Sequence, residues 1–265
     1  MQTDIYYTLP VYILLGFMGC ALGSFLNVVI YRLPRKMSII KPRSACPACK
    51  TPIPFYLNIP VISYLFLRGK CRYCGEKISP RYLFVELVAG VIVLGYYFWL
   101  GPVWQFIGYS LLSLALVAVF LIDYEHYIIP DQITYPGIVL GVGFSFLNPD
   151  ITLVQSLLGI LVGGGGLLLL ALLGDWLFKK ESMGGGDIKL TAMLGAFLGW
   201  QKVLFVFIAS SVIGLVVSII AMIFSSNLRE TRRIPFGPFL AASAILAIVV
   251  GDYLINLYLS HLYNF

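Results

Sequence analysis

The run PVYILLGFMGCALGSFLNVVIY (residues 10–31) contains no charged residue, and the basic segment RLPRK (32–36) follows it immediately. A helix of about 20 apolar residues is long enough to cross the ~30 Å hydrocarbon core of a bilayer. Lysine and arginine collect in the cytoplasmic loops that flank membrane spans. This stretch therefore predicts a first transmembrane helix that enters from outside and ends inside, and it fixes the direction of the spans that follow.

The composition of the whole chain agrees with a membrane environment. Of the 265 residues, 60% are hydrophobic and 11% are charged, with a mean hydropathy of +0.92, whereas soluble domains carry about 25% charged residues. Eight apolar runs occur, at about 10–31, 83–101, 104–122, 133–147, 153–178, 188–200, 202–225 and 238–258. The sequence therefore predicts an all-α membrane protein, a polytopic bundle of about eight transmembrane helices, and excludes a soluble globular domain.

The charge distribution predicts how these helices are oriented. The net charge is +6, and eleven of the eighteen basic residues fall between Arg32 and Arg81. Such clustering in one loop is typical of a cytoplasmic segment and not of a nucleic-acid site. With the N terminus outside, an alternating path puts loops 32–82, 123–132, 179–187 and 226–237 inside, leaves only Lys202 outside, and places the C terminus outside.

The start of the chain and its division into segments follow from the same pattern. The first residues, MQTDIYY, contain no lysine or arginine, so we expect no cleavable signal peptide, whose first region is positively charged. We expect three segments: a first transmembrane helix (1–31), a cytoplasmic loop domain (32–82) and a transmembrane helix bundle (83–265).

The cytoplasmic loop contains two cysteine pairs. CPAC (46–49) and CRYC (71–74) give the spacing C-x2-C-x21-C-x2-C, which is typical of four thiolates around one zinc ion. A redox-active CxxC is the alternative, but two pairs at this separation favour zinc. We therefore predict a structural zinc site formed by Cys46, Cys49, Cys71 and Cys74. The fifth cysteine, Cys20, lies in the first span, where we interpret it as a small packing residue.

Acidic residues near the apolar runs are the strongest functional signal, because ionisable groups at membrane depth are costly. Some have simple explanations: Asp131 follows Pro130 and is expected to cap a helix, and Glu86 has Arg81 as a candidate partner. Asp123 and Asp187 remain. Each lies at a predicted cytoplasmic helix end before an unusually short apolar run, of about 15 and 13 residues, which is about 20 Å of helix.

Two adjacent carboxylates share a proton, so one can act as a base and the other as an acid. This is the chemistry of an aspartic protease, and the glycines at 184–186 would let a substrate strand approach closely. A transporter or proton relay uses the same paired acids and explains them equally well. Glycines also pair at Gly159 and Gly163, where the small-xxx-small spacing predicts close helix packing and not a phosphate-binding loop.

Six segments in order resemble the type IV prepilin peptidases. These segments are GSFLNVVIYRLP (23–34), the two cysteine pairs, ISPRYLFVEL (78–87), DYEHYIIPD (123–131), GGGDIKLTAMLGAFLG (184–199) and IPFGPFLA (234–241). The resemblance implies an enzyme of the bacterial inner membrane with its active site toward the cytoplasm. It implies an aspartic endopeptidase that removes the leader of type IV prepilins or type II secretion pseudopilins, with Asp123 and Asp187 as the catalytic pair.

The resemblance also implies a second activity, N-methylation of the new N-terminal residue with S-adenosylmethionine as the methyl donor. A GxGxxG fingerprint after a strand, typical of a Rossmann cofactor domain, does not occur. We therefore expect the donor near Gly23, Asn27 and Arg32, at the inner end of the first helix. Asn27 has an alternative interpretation as an interhelical hydrogen bond. The expected partners are prepilin or pseudopilin substrates and membrane lipid, and not nucleic acid.

Overall fold

The computed structural model describes residues 2–179, 183–224 and 234–263, and these residues are helical or irregular with no β-strand. The helices are α1 Gln2–Arg32, α2 Ile62–Phe66, α3 Pro80–Leu100, α4 Trp104–His126, α5 Asp131–Ser145, α6 Leu153–Ile160, α7 Gly166–Phe178, α8 Gly185–Phe224 and α9 Gly237–Tyr263. The all-α prediction is confirmed. Four basic residues used to orient the chain lie outside the described residues: Lys180, Arg229, Arg232 and Arg233.

Six helical segments of the described chain are long and apolar enough to cross a membrane. They are Leu9–Arg32, Pro80–Leu100, Trp104–His126, Leu153–Phe178, Gly185–Ala221 and Gly237–Tyr258. The sequence predicts eight runs, and the difference has two sources. Helix α5 has 15 residues, about 22 Å at 1.5 Å per residue, which is shorter than a full span. Helix α8 joins two of the predicted runs without an intervening loop.

Helix α8 reverses direction at Gly199, where the backbone leaves helical geometry with φ 77° and ψ 171°. The carbonyl carbon of Thr191 and Cγ1 of Val203 both lie within 3.3 Å of the position that a Cβ on Gly163 would take. In a continuous helix, residues 191 and 203 would be ~18 Å apart. The two arms of α8 therefore lie side by side, and glycine permits the turn because it has no Cβ to oppose a positive φ.

One compact unit comprises Met1–Ala118. Helices α1 and α3 pack closely in it, because small residues let their backbones approach. A Cβ on Gly19 would lie 2.9 Å from the carbonyl oxygen of Ala89, and one on Gly90 would lie 2.8 Å from Sγ of Cys20. The interpretation of Cys20 as a packing residue is thereby confirmed.

The other compact unit comprises Val119–Phe265. Helices α6 and α7 are joined by a single π-helical turn, Leu161–Gly165, and the first arm of α8 packs against this region. The backbones of Gly159 and Gly195 leave no room for a side chain between them. The hydroxyl of Thr191 lies 3.1 Å from the carbonyl oxygen of Gly163. The predicted close packing at Gly159 and Gly163 is confirmed, and it anchors the arm that carries Asp187.

Candidate active site

Three helix ends in the second unit meet around Asp123. Asp123 lies near the C-terminal end of α4, Asp187 in the first turn of α8, and Gly237 at the first residue of α9. The backbone N–H of Gly237 donates to Oδ2 of Asp123 over 2.9 Å, and this hydrogen bond is buried. The carboxylate is therefore held in one orientation by the N terminus of a helix 114 residues further along the chain.

The side chain of Ile129 packs against two glycines of the site, Gly186 and Gly237. A Cβ added to Gly186, the neighbour of Asp187, would lie 2.9 Å from Cβ of Ile129, and one added to Gly237 would lie 3.2 Å from Cδ1 of the same side chain. Asp123 and Asp187 lie close enough for the charge of one to act on the other. The structure thus brings together the two acids that the sequence singled out.

Asp187 has one oxygen available for chemistry. Oδ1 of Asp187 is buried and receives no hydrogen bond from the described residues. The amide of Asp187 donates to the carbonyl oxygen of Gly184 over 3.1 Å, and the Thr191 hydroxyl lies 2.9 Å from the carbonyl oxygen of Asp187. The backbone of Asp187 is therefore fixed while its carboxyl group keeps an acceptor site that a water or a substrate can occupy.

A third acid, Asp131, does not have the role that we expected. The helix cap position of α5 is occupied by Pro130, and the cap makes no side-chain hydrogen bond. Instead, both carboxylate oxygens of Asp131 accept hydrogen bonds from Nζ of Lys189, at 2.8 and 2.9 Å. The capping prediction was wrong because a distant residue in sequence, brought close by the fold, supplies a stronger partner. The pair connects the start of α5 to the second turn of α8.

Sequence reasoning missed Gly237 and Ile129 as parts of the site. Both lie in segments that the sequence analysis quoted only for family resemblance, IPFGPFLA and DYEHYIIPD. An apolar residue and a glycine carry no chemical signal by themselves, so only their positions in the folded chain show that they orient the acids.

The triple glycine offers a test of this geometry. We expect Gly186→Ala to lower the rate of substrate turnover by about 10- to 100-fold, because its new Cβ would overlap Cβ of Ile129 and displace Asp187. Gly185→Ala is the matched control: a Cβ there meets no atom within 4 Å, so we expect a rate within about threefold of the wild type. Turnover by the two purified variants is the measurement, and equal rates would show that the close contact between Gly186 and Ile129 does not position Asp187.

The four cysteines of the two CxxC pairs form a single cluster in the first unit. Their Sγ atoms all lie within 4.8 Å of one another, and those of Cys46 and Cys74 are 3.8 Å apart. A tetrahedral zinc ion with Zn–S bonds of ~2.3 Å requires sulfur atoms ~3.8 Å apart. Each pair lies in a backbone turn. The backbone N–H of Cys46 donates to the carbonyl oxygen of Thr51 over 3.1 Å, and that of Cys71 donates to the carbonyl oxygen of Glu76 over 2.8 Å. The donor set therefore fits a four-coordinate metal.

Local hydrogen bonds prepare part of this cluster for metal binding. Hydrogen bonds from Thr51 lower the pKa of Cys49 to about 6, and the side chain of Thr51 contributes more than its backbone. The backbone N–H of Cys74 lowers the pKa of Cys71. The Glu76 backbone lowers the pKa of Cys74, but burial and the neighbouring thiols together raise it to about 12. Thiolates bind metals, and a bound cation would offset the repulsion among four neighbouring thiolates.

Two of the three residues considered for cofactor binding have structural partners between α1 and α3. A Cβ on Gly23 would lie 2.7 Å from Cα of Glu86, so α3 covers this face of Gly23. Nδ2 of Asn27 donates to the carbonyl oxygen of Tyr82 over 3.0 Å, which confirms the alternative interpretation of Asn27 as an interhelical link. Oδ1 of Asn27 is buried and receives no hydrogen bond within the described chain.

The third residue, Arg32, closes the start of the 32–82 loop. Its guanidinium donates to the carbonyl oxygens of Ser38 and Pro42, each over 2.8 Å. Glu86 has a comparable role at the other end of the loop, where Oε2 accepts the backbone N–H of Val61 over 2.7 Å. Both charged groups therefore attach loop backbone to the adjoining helices.

Comparison with protein families gives two matches that cover most of the chain. Residues 17–100 match the model described as the bacterial Peptidase A24 N-terminal domain, and residues 110–219 match the type IV leader peptidase family. The first match stops at the last residue of α3, and the second match begins inside α4.

Curated relatives extend the similarity over nearly the whole length. The chain is 37% identical to the prepilin leader peptidase/N-methyltransferase of Aeromonas hydrophila, with 91% of each chain covered. It is 38% identical to the protein of that name from Pseudomonas aeruginosa, again over 91% of each chain. The protein of that name from Neisseria gonorrhoeae is 36% identical, over 92% of this chain and 93% of its own. No solved structure gives a significant match.

Proposed function

Because the chain belongs to the type IV leader peptidase family, we infer that it is a multi-pass membrane endopeptidase that cleaves prepilins and then N-methylates the new N terminus. The observation that supports the peptidase activity best is the meeting of Asp123 and Asp187 at the ends of two helices. The alternative of a transporter or proton relay is not favoured, since both family models and all the relatives named above are peptidases.

We propose that Asp123 and Asp187 are the catalytic pair. They share one proton, because two adjacent carboxylates do not both ionise easily. The ionised carboxylate takes a proton from a water, whose oxygen attacks the scissile carbonyl carbon, while the other carboxyl protonates the carbonyl oxygen. Collapse of the tetrahedral intermediate breaks the C–N bond; the leaving amine takes the proton that the first carboxylate removed from water, and a hydroxyl of the intermediate returns a proton to the second carboxylate. Oδ2 of Asp123 accepts the Gly237 N–H, so the shared proton resides on one of the other carboxyl oxygens.

We propose that this site faces the cytoplasm in a bacterial inner membrane and that eight spans run from an outer N terminus to an outer C terminus. The reversal of α8 at Gly199 supports this count, since it provides two arms where one long helix would otherwise stand. In this arrangement 1–31 is the first span, 32–82 the cytoplasmic loop and 83–265 the protease bundle. The substrates would be type IV prepilins or type II secretion pseudopilins, whose hydrophobic helix can lie in the same bilayer.

We propose that the cysteine cluster holds a structural zinc ion. Four thiolates complete the coordination sphere and leave no position for substrate. The loop has few buried side chains, so a metal supplies stability that its apolar core does not. The fit of the sulfur spacing to tetrahedral zinc supports this assignment.

Replacing any one of the cluster cysteines by serine should remove the metal. We expect wild-type protein to contain about one zinc ion per chain and the Cys49→Ser and Cys71→Ser variants to contain far less, because three thiolates leave the sphere open. Elemental analysis of the purified protein is the measurement. Cys20→Ala, outside the cluster, should keep its zinc, and a wild-type protein with four freely reactive thiols and no zinc would contradict the proposal.

We propose that S-adenosylmethionine supplies the methyl group, through an electrophilic methyl on a sulfonium ion. The proposed donor site lies near Gly23, Asn27 and Arg32. Of these, Asn27 fits best, because Oδ1 is a buried acceptor to which no described residue donates a hydrogen bond, and a cationic ligand needs such acceptors. The hydrogen bonds of Arg32 to loop carbonyls assign it the supporting role of shaping the loop.

One experiment tests both activities separately. The purified protein is incubated in lipid nanodiscs with a prepilin and isotopically labelled S-adenosylmethionine, and the pilin mass is followed over time. We expect leader removal first and a labelled methyl group on the shortened product afterwards. A protein that shows neither reaction on prepilins or pseudopilins would overturn the proposed function.

A further inference from the structure

The cysteine loop presents an open cleft of about 370 Å³ that the proposed peptidase and methyl-transfer reactions do not use. The following residues line it: Tyr64, Arg68, Gly69, Lys70, Lys77, Ile78, Ser79 and Pro80. Three of these carry positive charge and none is acidic. Glu76 is the single acidic residue of the whole 32–82 segment, against eleven basic ones, so the cleft lies in a strongly positive part of the protein.

The backbone forces two of these charges together. Lys70 and Lys77 face each other across an isolated antiparallel bridge, and like charges directly opposite in such a pair are destabilising. Arg68 precedes Lys70 by two residues and lines the same cleft. These three exposed cations repel one another, and a bound anion would remove this repulsion.

The position of the cleft identifies the anion. Ser79 is the N-cap of α3 and Pro80 its first residue, and α3 is one of the helices long and apolar enough to cross a membrane. A cleft lined by the first residues of a span lies at the depth of the lipid headgroups. Basic residues next to a span attract anionic lipids.

The short helix α2 gives the same region an apolar edge. Ile62, Leu65 and Phe66 expose 59%, 62% and 75% of their surfaces, and they flank Tyr64, which lines the cleft. Exposed apolar side chains beside basic ones are typical of segments that lie in the membrane interface.

We propose that Arg68, Lys70 and Lys77 bind the phosphate of an anionic phospholipid headgroup, while Ile62, Leu65 and Phe66 insert beside its acyl chains. The cysteine loop is then attached to the membrane surface at the foot of α3. This binding depends on α3 crossing the membrane and does not depend on the proposed enzymatic activities.

The test compares two triple variants that remove the same charge from the same loop. Arg68→Gln/Lys70→Gln/Lys77→Gln empties the cleft of cations, whereas Lys41→Gln/Arg43→Gln/Lys50→Gln removes two lysines and one arginine that are exposed elsewhere. Native mass spectrometry of the full chain, titrated in detergent with phosphatidylglycerol, gives the affinity. We expect about 100-fold weaker binding by the cleft variant, since each basic residue contributes about fivefold, and less than about fivefold weakening by the control.

Three further measurements keep the result decisive. Titration with phosphatidylcholine and with inorganic phosphate should show no comparable binding, because the site needs both a net negative headgroup and acyl chains. Equal losses in both triple variants, or equal binding of inorganic phosphate, would overturn the proposal. If the cleft triple loses its metal, Lys77→Gln alone replaces it, with an expected weakening of about fivefold, and unchanged affinity in that variant would also overturn it.

Discussion

Asp123→Asn and Asp187→Asn should each reduce prepilin cleavage by at least about 10³-fold, because each removes one member of a proton-sharing pair. Asparagine keeps the size and shape of the side chain, so the Gly237 N–H still has an oxygen to bind. The double variant should be no slower than either single one, since the two acids act as a unit and the loss of one already removes the mechanism. The rate of leader removal in nanodiscs is the measurement.

Two controls separate loss of chemistry from loss of structure. Asp131→Asn removes a neighbouring acid that is exposed and paired with Lys189. An exposed ion pair contributes about 0.2–1 kcal/mol, so cleavage should fall by less than about tenfold. Methyl transfer to a pilin supplied already cleaved should continue in both catalytic variants. Cleavage at more than a tenth of the wild-type rate by either Asp→Asn variant would remove that residue from the pair.

Gly237→Ala should lower kcat for cleavage by about 100-fold or more with little change in KM. The new Cβ would lie 2.6 Å from Oδ2 and 3.1 Å from Cγ of Asp123, and 3.2 Å from Cδ1 of Ile129. The carboxylate and the amide that orients it must then separate, which misplaces a reacting group by a large fraction of an ångström. Steady-state kinetics of the purified variant provides the test.

Gly251→Ala is the matched control for this prediction, because it makes the same change on the same helix. Its new Cβ would meet its nearest neighbours at 3.7 Å, which is ordinary packing distance. We expect its kcat to stay within about threefold of the wild type. Wild-type kcat in Gly237→Ala would show that the hydrogen bond to Asp123 does not orient the catalytic group.

The helices could be predicted largely from the apolar runs, because a lipid environment demands about 20 apolar residues for each full span. The ends of the helices and the turns between them could not be predicted from these runs. The runs at 188–200 and 202–225 are separated by a single residue, Gln201, and the chain reverses at Gly199 inside the first run, so no loop composition signals the reversal. Asp131 shows the same limit: its place after a proline indicated a cap, but a hydrogen-bond partner 58 residues away determines its role.

The sequence by itself determined the membrane class, the four cysteines and the choice of Asp123 and Asp187, because charge and thiol chemistry are rare in an apolar chain and stand out without coordinates. Only the tertiary structure decided what surrounds them. It placed Gly237 on Asp123, Ile129 against Gly186 and Gly237, Lys189 on Asp131, and Lys70 opposite Lys77. These contacts join residues far apart in the chain and depend on backbone approach and side-chain shape, which a linear pattern of residue types does not encode.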